Sequence, residues 1–120
     1  MLVVDKLKWK MFIYEDKKEV HVQIHGFIRD EDIAVYLVDL TELGKKVQKT
    51  AYTFFVDATY QSPLPRKTAA GIGDTMMVYT TFGYKEVTII TPKSKISFVQ
   101  VRNGLGRVNF PGKVIQPTSR

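Results

Sequence analysis

The sequence contains no cysteine, and this absence excludes several kinds of chemistry. Thiol catalysis, iron–sulfur clusters and zinc-finger sites all require cysteine ligands or nucleophiles, and a disulfide scaffold requires cysteine pairs. Long apolar runs are also absent, since each run is interrupted well short of the roughly 20 residues that span a bilayer. The first residues lack the basic region of a signal peptide. We therefore expect a soluble cytoplasmic protein without a membrane span.

Acidic residues are scarce in the second half of the chain. Residues 1–60 hold nine Lys or Arg against ten acidic residues, a net charge of −1, whereas residues 61–120 hold nine against two, a net charge of +7. Such asymmetry can indicate a surface for phosphate, nucleic acid or an acidic partner. The cations are scattered along the sequence, however, as is typical of an ordinary soluble surface. Nucleic acid is therefore not the expected partner.

The remaining composition is that of a globular protein. The 120 residues are 44% hydrophobic and 25% charged, and they contain no internal repeat, low-complexity tract or linker. A chain of this length buries roughly two thirds of its unfolded surface, which is enough for a hydrophobic core. The sequence therefore predicts one domain over residues 1–120.

The chain begins with a pattern typical of a β-hairpin. Residues 10–14 are aromatic and β-branched, residues 15–19 form a charged turn, and residues 20–25 alternate strictly between apolar and polar. The core-facing set is Val20, Val22 and Ile24, and the opposite face holds His21, Gln23 and His25. We expect that second face either to be only partly covered or to carry chemistry.

Strands and helices alternate after the hairpin. Apolar residues at three- and four-residue spacing predict helices over residues 30–49, 65–83 and 93–107. Short β-branched segments predict strands over residues 51–57, 86–91 and 113–116. This order predicts an α/β domain with about three helices, an N-terminal hairpin and a mostly parallel sheet of four or five strands, joined by right-handed crossovers.

The central part of the chain resembles the STAS-type domains, the SpoIIAA-like folds of anti-sigma factor antagonists and sulfate transporter tails. The resemblance spans about residues 10–116 and is carried by the strand Phe54-Phe55-Val56-Asp57-Ala58, a proline-containing loop and helix, and the glycine-led segment 83–90. It implies a β-α superhelix that binds proteins without catalysis, often under the control of a phosphorylated serine before the second helix. Thr59 and Ser62 are the nearest hydroxyls here, but the family's Asp-Ser dipeptide and its glycine are absent.

The same loop is the predicted contact surface. It follows an interior strand, and open α/β sheets bind their ligands beyond the carboxyl ends of the strands. The candidate contact residues are Asp57, Thr59, Tyr60, Ser62, Arg66 and Lys67. We expect a protein partner, with self-association as a further possibility, and neither a cofactor nor a metal site.

The alternative is a small-ligand or hydrolytic site built from His25, Asp57 and Ser62 at the same sheet edge. These are the residue types of a hydrolase triad, but no Gly-x-Ser-x-Gly turn surrounds Ser62, and Pro63 restricts it to an extended conformation. In the simpler interpretation Asp57 caps loop amides and His25 is a half-exposed strand residue.

Two other weak patterns have structural explanations. His21 and His25 would lie about 13 Å apart along a strand, so one metal ion cannot bind both. The Gly-x-Gly matches at residues 71–73 and 104–106 lack the third glycine of a dinucleotide-binding turn, so we interpret them as packing or helix-end glycines.

Overall fold

The strands of the sheet are neighbours in space in the same order in which they occur in the sequence. The computed structural model describes residues 1–117. Its strands are β1 (Leu2–Asp5), β2 (Trp9–Tyr14), β3 (Glu19–Gly26), β4 (Thr53–Gln61), β5 (Glu86–Ile90) and β6 (Lys113–Ile115). Strands β1, β2 and β3 pair antiparallel, and β3 to β6 pair parallel. The mostly parallel α/β sheet with an N-terminal hairpin is confirmed.

The predicted count of four or five strands is wrong, because the described residues form six. The missed strand is β1, which is four residues long and carries too little periodic pattern to be recognised alone. Tertiary pairing holds it in place, since β1 lies along β2 and the amino group of Met1 donates a hydrogen bond to the carbonyl of Ile13 at 2.7 Å.

The helices connect the parallel strands. They are α1 (Asp30–Gly44), α2 (Arg66–Ala70), α3 (Ile72–Tyr79) and α4 (Lys95–Val108), with a short 3₁₀ turn at Lys49–Ala51. The predicted second helix is therefore divided at Gly71, which lies between α2 and α3 in a non-helical conformation. The cap of α1 is Arg29 rather than Asp30, and the Asp32 carboxylate accepts the Arg29 backbone N–H at 2.9 Å. No helix in residues 1–117 combines the length and apolar character needed to cross a membrane.

All of the helices pack on one face of the sheet. Parallel crossovers are right-handed, and the strand order advances in one direction, so each crossover places its helix on the same side. Tyr36 of α1 contacts Trp9, Tyr79 of α3 contacts Phe54, and Val101 of α4 belongs to the same hydrophobic core. The main core is therefore a single layer between the sheet and the helices.

The opposite face of the sheet carries aromatic side chains that are only partly buried. Phe12, Tyr14, His21 and Phe55 lie on this face, and the His21 ring stacks on Phe55 with centroids 4.5 Å apart. The sequence pattern of β3 indicated a partly covered second face, and the half-burial of these four side chains agrees with it.

Helices α3 and α4 cross at two glycines. A Cβ atom added to Gly73 would lie 2.5 Å from the carbonyl oxygen of Gly104, and one added to Gly104 would collide with Ile72. These glycines therefore have the packing role expected for the Gly-x-Gly matches. The close neighbour of Gly73 is α4 and not the sheet.

Candidate functional site

Strand β4 extends further than the sequence predicted. It covers Thr53–Gln61 rather than residues 51–57, so Asp57, Thr59 and Tyr60 lie within a strand and not in a loop. The extension has a partner on each side. Strand β3 pairs with β4 as far as Gln61, and the backbone N–H of Lys93 donates to the carbonyl of Thr59 at 3.0 Å. The expectation that Asp57 ends the strand is therefore wrong.

A bulge near the carboxyl end of β4 turns Tyr60 outward. Gln23 of β3 pairs with Asp57 and His25 pairs with Tyr60, so β4 has one extra residue between these two pairs. The Asp57 carboxylate accepts hydrogen bonds from the backbone N–H of Thr59, at 3.0 Å, and from its hydroxyl. Asp57 and Thr59 thus stabilise the bulge, and Tyr60 beyond it is 62% exposed.

Tyr60 joins a group of exposed apolar side chains at this edge. Its ring stacks on His25, with centroids 5.6 Å apart and planes within 12°. The β1–β2 turn lies beside them, because the backbone N–H of His25 donates to the carbonyl of Lys8 at 2.8 Å. Leu7 in that turn is 90% exposed, and Phe27 after β3 is 58% exposed. We name Leu7, His25, Phe27 and Tyr60 the carboxyl-edge patch.

An open cleft of about 420 Å³ lies within the carboxyl-edge patch. It is lined by Leu7, His25 and Phe27 together with Gly26 and the cations Lys8 and Arg29. Lys8 is also bound to the Asp32 carboxylate at 2.6 Å, and this hydrogen bond lowers the pKa of Asp32 below its usual value. The patch is therefore an apolar surface with a cationic border, fixed by an ion pair to the start of α1.

The other predicted contact residues lie after the bulge. Ser62 directly follows β4, and its backbone N–H donates to the carbonyl of Gly26 at 2.9 Å. Arg66 and Lys67 are exposed on α2, and the Lys67 ammonium lies 3.9 Å from the carboxylate of Asp30. Helix α2 has five residues, so the two cations lie on a short turn in the helical layer.

The structure does not join the three residues of the hydrolytic alternative. The His25 ring contacts the side-chain oxygen of Gln23 at 3.3 Å and stacks on Tyr60, while the Asp57 carboxylate is bound to Thr59. Within residues 1–117, no hydrogen bond links His25, Asp57 and Ser62. Asp57 therefore has the local capping role of the simpler interpretation.

The histidines lie apart from any cluster of metal ligands. The His21 ring contacts the Glu19 carboxylate at 2.8 Å and packs between the rings of Tyr14 and Phe55. In the described part of the chain, no three His, Asp or Glu side chains converge as a metal site would require.

Leu7 and Phe27 were not among the contact residues predicted from the sequence. Leu7 carried a usable signal, because it is a large apolar residue between two lysines. Phe27 carried a weaker one, because it follows Gly26 but precedes the apolar Ile28. An apolar residue that no strand or helix buries is a candidate for contact with a partner. The β2–β3 pairing places the β1–β2 turn beside the end of β3, since Trp9 pairs with Ile24 and the His25 N–H donates to the carbonyl of Lys8. The predicted hairpin began only at residue 10, so it did not place Leu7 at this edge.

Comparisons with known proteins support the fold. No protein-family model and no curated protein matches the chain. The chain is similar to the crystal structure of an uncharacterized protein from the DUF3478 family with a SpoIIAA-like fold, from Shewanella loihica PV-4. The match has a TM-score of 0.61 and 15% sequence identity, and it covers 98% of this chain and 93% of that one. A crystal structure of Mglu matches 65% of this chain and 18% of that one at 17% identity, with a TM-score of 0.47. The chain therefore has a SpoIIAA-like fold.

Proposed function

We propose that this domain is a non-catalytic protein-interaction module that binds a partner protein through the carboxyl-edge patch. The observation that carries the proposal is the joint exposure of Leu7, Phe27 and Tyr60 at one edge of the sheet. Large apolar side chains grouped on a surface characterise sites of protein contact, and tyrosine is frequent among the residues that dominate binding energy.

The geometry of the patch is suited to contact rather than to chemistry. Tyr60 is stacked on His25 and is oriented by a bulge that Asp57 and Thr59 stabilise, so little side-chain freedom is lost when a partner covers it. The adjoining cleft is open, whereas sites for small molecules surround most of the ligand's surface. Lys8 at its border is already paired with Asp32, so the exposed Arg29 is the cation that favours a partner with acidic residues around an apolar centre.

Replacement of Tyr60 tests this surface. We expect Tyr60→Ser to weaken capture of a stoichiometric partner from lysate of the source cells, because a tyrosine central to an interface contributes about 2 kcal/mol, or about 30-fold in Kd. Ser62→Ala tests the adjoining loop in the same assay. Both residues lie at the surface, so the melting temperature should change little.

Val38→Ser is the matched control, since Val38 is 61% exposed on α1 and lies outside the patch. The control should retain the partner that Tyr60→Ser loses. Equal recovery by wild type and Tyr60→Ser would contradict the placement. A rise in melting temperature with small anions or metabolites, without any captured protein, would instead favour the small-ligand alternative. Concentration-dependent light scattering that Tyr60→Ser abolishes would identify the partner as a second copy.

A further inference from the structure

A second concave surface lies at the β6 edge of the sheet, between α4 and β6. Two clefts of about 430 and 300 Å³ share Thr91, Phe98 and Gln116 and therefore form one continuous groove. We name it the α4–β6 groove. At one end, its floor is apolar and includes Leu105, Phe110 and Val114. Its cationic end begins close to Tyr60, because the Lys93 N–H donates to the carbonyl of Thr59 at 3.0 Å, but none of the residues that line it belongs to the carboxyl-edge patch.

The other end of the groove is positively charged. Lys93 and Lys95 line it beside the start of α4, and Arg102 lies nearer the middle, with its guanidinium 5.6 Å from the ring centroid of Phe98. None of the residues that line the groove is acidic. Within residues 1–117, none of the three cations forms an ion pair, which leaves them available to carboxylates of a partner. The groove therefore has an apolar end and a cationic end.

The backbone of β6 borders this groove as the last strand of the sheet. The carbonyl of Ile115 accepts the Thr91 N–H at 2.9 Å, so the polar groups of Ile115 point toward β5. Successive residues of a strand in a parallel sheet direct their N–H and C=O groups to opposite sides, so those of Val114 point away from the sheet. Val114 and Ile115 are also 46% and 41% exposed. An extended chain placed beside β6 would pair with this edge.

We propose that the α4–β6 groove binds an extended segment of a partner protein, with apolar residues at one end and acidic residues at the other, which adds to β6 as a further strand. The apolar residues would cover Leu105, Phe110 and Val114, and the acidic residues would meet Lys93, Lys95 and Arg102. Strand addition derives affinity from backbone hydrogen bonds and specificity from the side-chain pockets. This second binding site goes beyond the proposed function and does not depend on the carboxyl-edge patch.

The shape and charge of the groove favour a peptide over other polyanions. A nucleic acid carries phosphates along its whole length, whereas the cations occupy only one end and the middle of this groove. A flat anionic membrane would contact the exposed rim but would not reach the apolar floor of a concave surface. An acidic-apolar peptide matches both ends and also uses the strand edge.

The test uses the full chain and two arrays of synthetic eight-residue peptides. One array combines Val, Ile, Leu or Phe with Asp or Glu, and the other replaces each acidic residue with Lys or Arg. We expect wild type to bind members of the acidic array, with weaker binding at higher salt, and not to bind the basic array. The double variant Lys95→Glu/Arg102→Glu should lose at least about tenfold in affinity, because attraction becomes like-charge repulsion.

A proline substitution tests the strand edge separately. Val114→Pro removes an N–H that points away from β5, so the β5–β6 pairing persists while the donor to an added strand is lost. We expect at least about tenfold weaker peptide binding with the fold retained, as measured by circular dichroism. Lys17→Glu/Lys46→Glu is the charge-matched control for the double variant, because it also reverses two exposed cations and both lie outside the groove. This control should bind the peptides as wild type does.

Three results would overturn this proposal. They are equal binding of both arrays, unchanged binding by the double variant, and unchanged binding by Val114→Pro. Binding of anionic phospholipid vesicles or a single-stranded oligonucleotide in place of peptide, lost in the double variant, would also overturn it by identifying another occupant. Tyr60→Ser should leave peptide binding intact. The peptide assay therefore tests the groove proposal separately from the proposal that the carboxyl-edge patch binds a partner.

Discussion

At the scale of single residues, the tyrosine pair Tyr36 and Tyr79 is the main polar feature of the core. Their hydroxyls are 2.8 Å apart in a hydrogen bond that joins α1 to α3, and both side chains are almost completely buried. Burial raises the pKa of Tyr36 well above its usual value and raises the pKa of Tyr79 to about 12. Each hydroxyl has the other as its partner, so removal of one leaves the other without compensation.

A double-mutant cycle measures this dependence. Tyr36→Phe or Tyr79→Phe alone should lower the free energy of unfolding by about 1 to 3 kcal/mol, because a buried hydroxyl loses its partner. The double variant should lose clearly less than the sum, since it buries no unpaired hydroxyl. Urea unfolding followed by circular dichroism gives all three values. Additive losses would show that the hydroxyls find other partners.

At the scale of elements, the contact between α3 and α4 depends on the absence of side chains at Gly73 and Gly104. Only hydrogen atoms fit where the two helix backbones meet, so any larger residue must separate the helices. Gly106 lies in the same helix as Gly104, but a Cβ atom added to it would have no neighbouring atom within 4 Å. The two sites in α4 therefore differ in packing while sharing the same helical backbone.

Alanine substitutions separate packing from helix propensity. Gly73→Ala should destabilise the protein by about 1 to 3 kcal/mol, because its Cβ meets a backbone carbonyl that cannot rotate away. Gly106→Ala should instead stabilise it by up to about 1 kcal/mol through helix propensity alone. Differential scanning calorimetry of the two variants would show opposite shifts in melting temperature. Shifts of the same sign would contradict the close helix contact.

The elements that the sequence predicted well are those with a strong local pattern. The alternation of β3 and the β-branched run of β5 each indicated the correct element, because local periodicity and burial agree there. Helix α1 was also predicted, but it ends at Gly44 rather than at residue 49, and its buried face includes Tyr36 while Val38 is exposed. Strand β1 and the extension of β4 were missed, since both are stabilised by pairing with distant strands. The division at Gly71 was missed because one glycine in an apolar helical pattern does not reveal whether the helix continues.

The candidate site shows the same limit. Tyr60 and its neighbours could be selected from sequence because a proline-containing loop follows a buried strand. The bulge that exposes Tyr60 and stacks it on His25 could not, since it arises from the register between β3 and β4. The cationic end of the α4–β6 groove was present in the sequence as scattered lysines and arginines, which only the fold brings together.

At the scale of the whole molecule, titration of buried groups limits the pH range of stability. Burial raises the pKa values of Tyr36, Tyr79 and Tyr84 above the ordinary value of 10.0, to about 12 for the last two. The unfolded chain then releases these protons at lower pH than the folded protein does. The stability contributed by the neutral phenols is complete below pH 10 and is lost as pH rises above it.

We therefore expect the urea midpoint of unfolding to fall steeply between pH 10 and pH 12.

The carboxyl groups act in the opposite direction, because their loss of charge destabilises the fold at low pH. Burial raises the pKa of Asp39, but its bonds to Lys6 and Trp9 outweigh that effect and lower it below 3.8, so the stability that it contributes is lost as pH falls below that value. Urea titrations at several pH values test both limits. A midpoint unchanged from pH 9 to pH 12 would contradict the burial of the tyrosines.

The sequential order of the strands has a consequence for how the chain folds. Each strand pairs with the one that precedes it along the chain, so every pairing closes only the segment between two successive strands. The sheet can therefore grow one strand at a time from the N-terminus while the ribosome is still extending the chain. At each stage the nascent sheet has a growing edge that the next strand covers. Strand β6 is the last of these six strands in chain order, and no later strand of the described residues covers its outer edge.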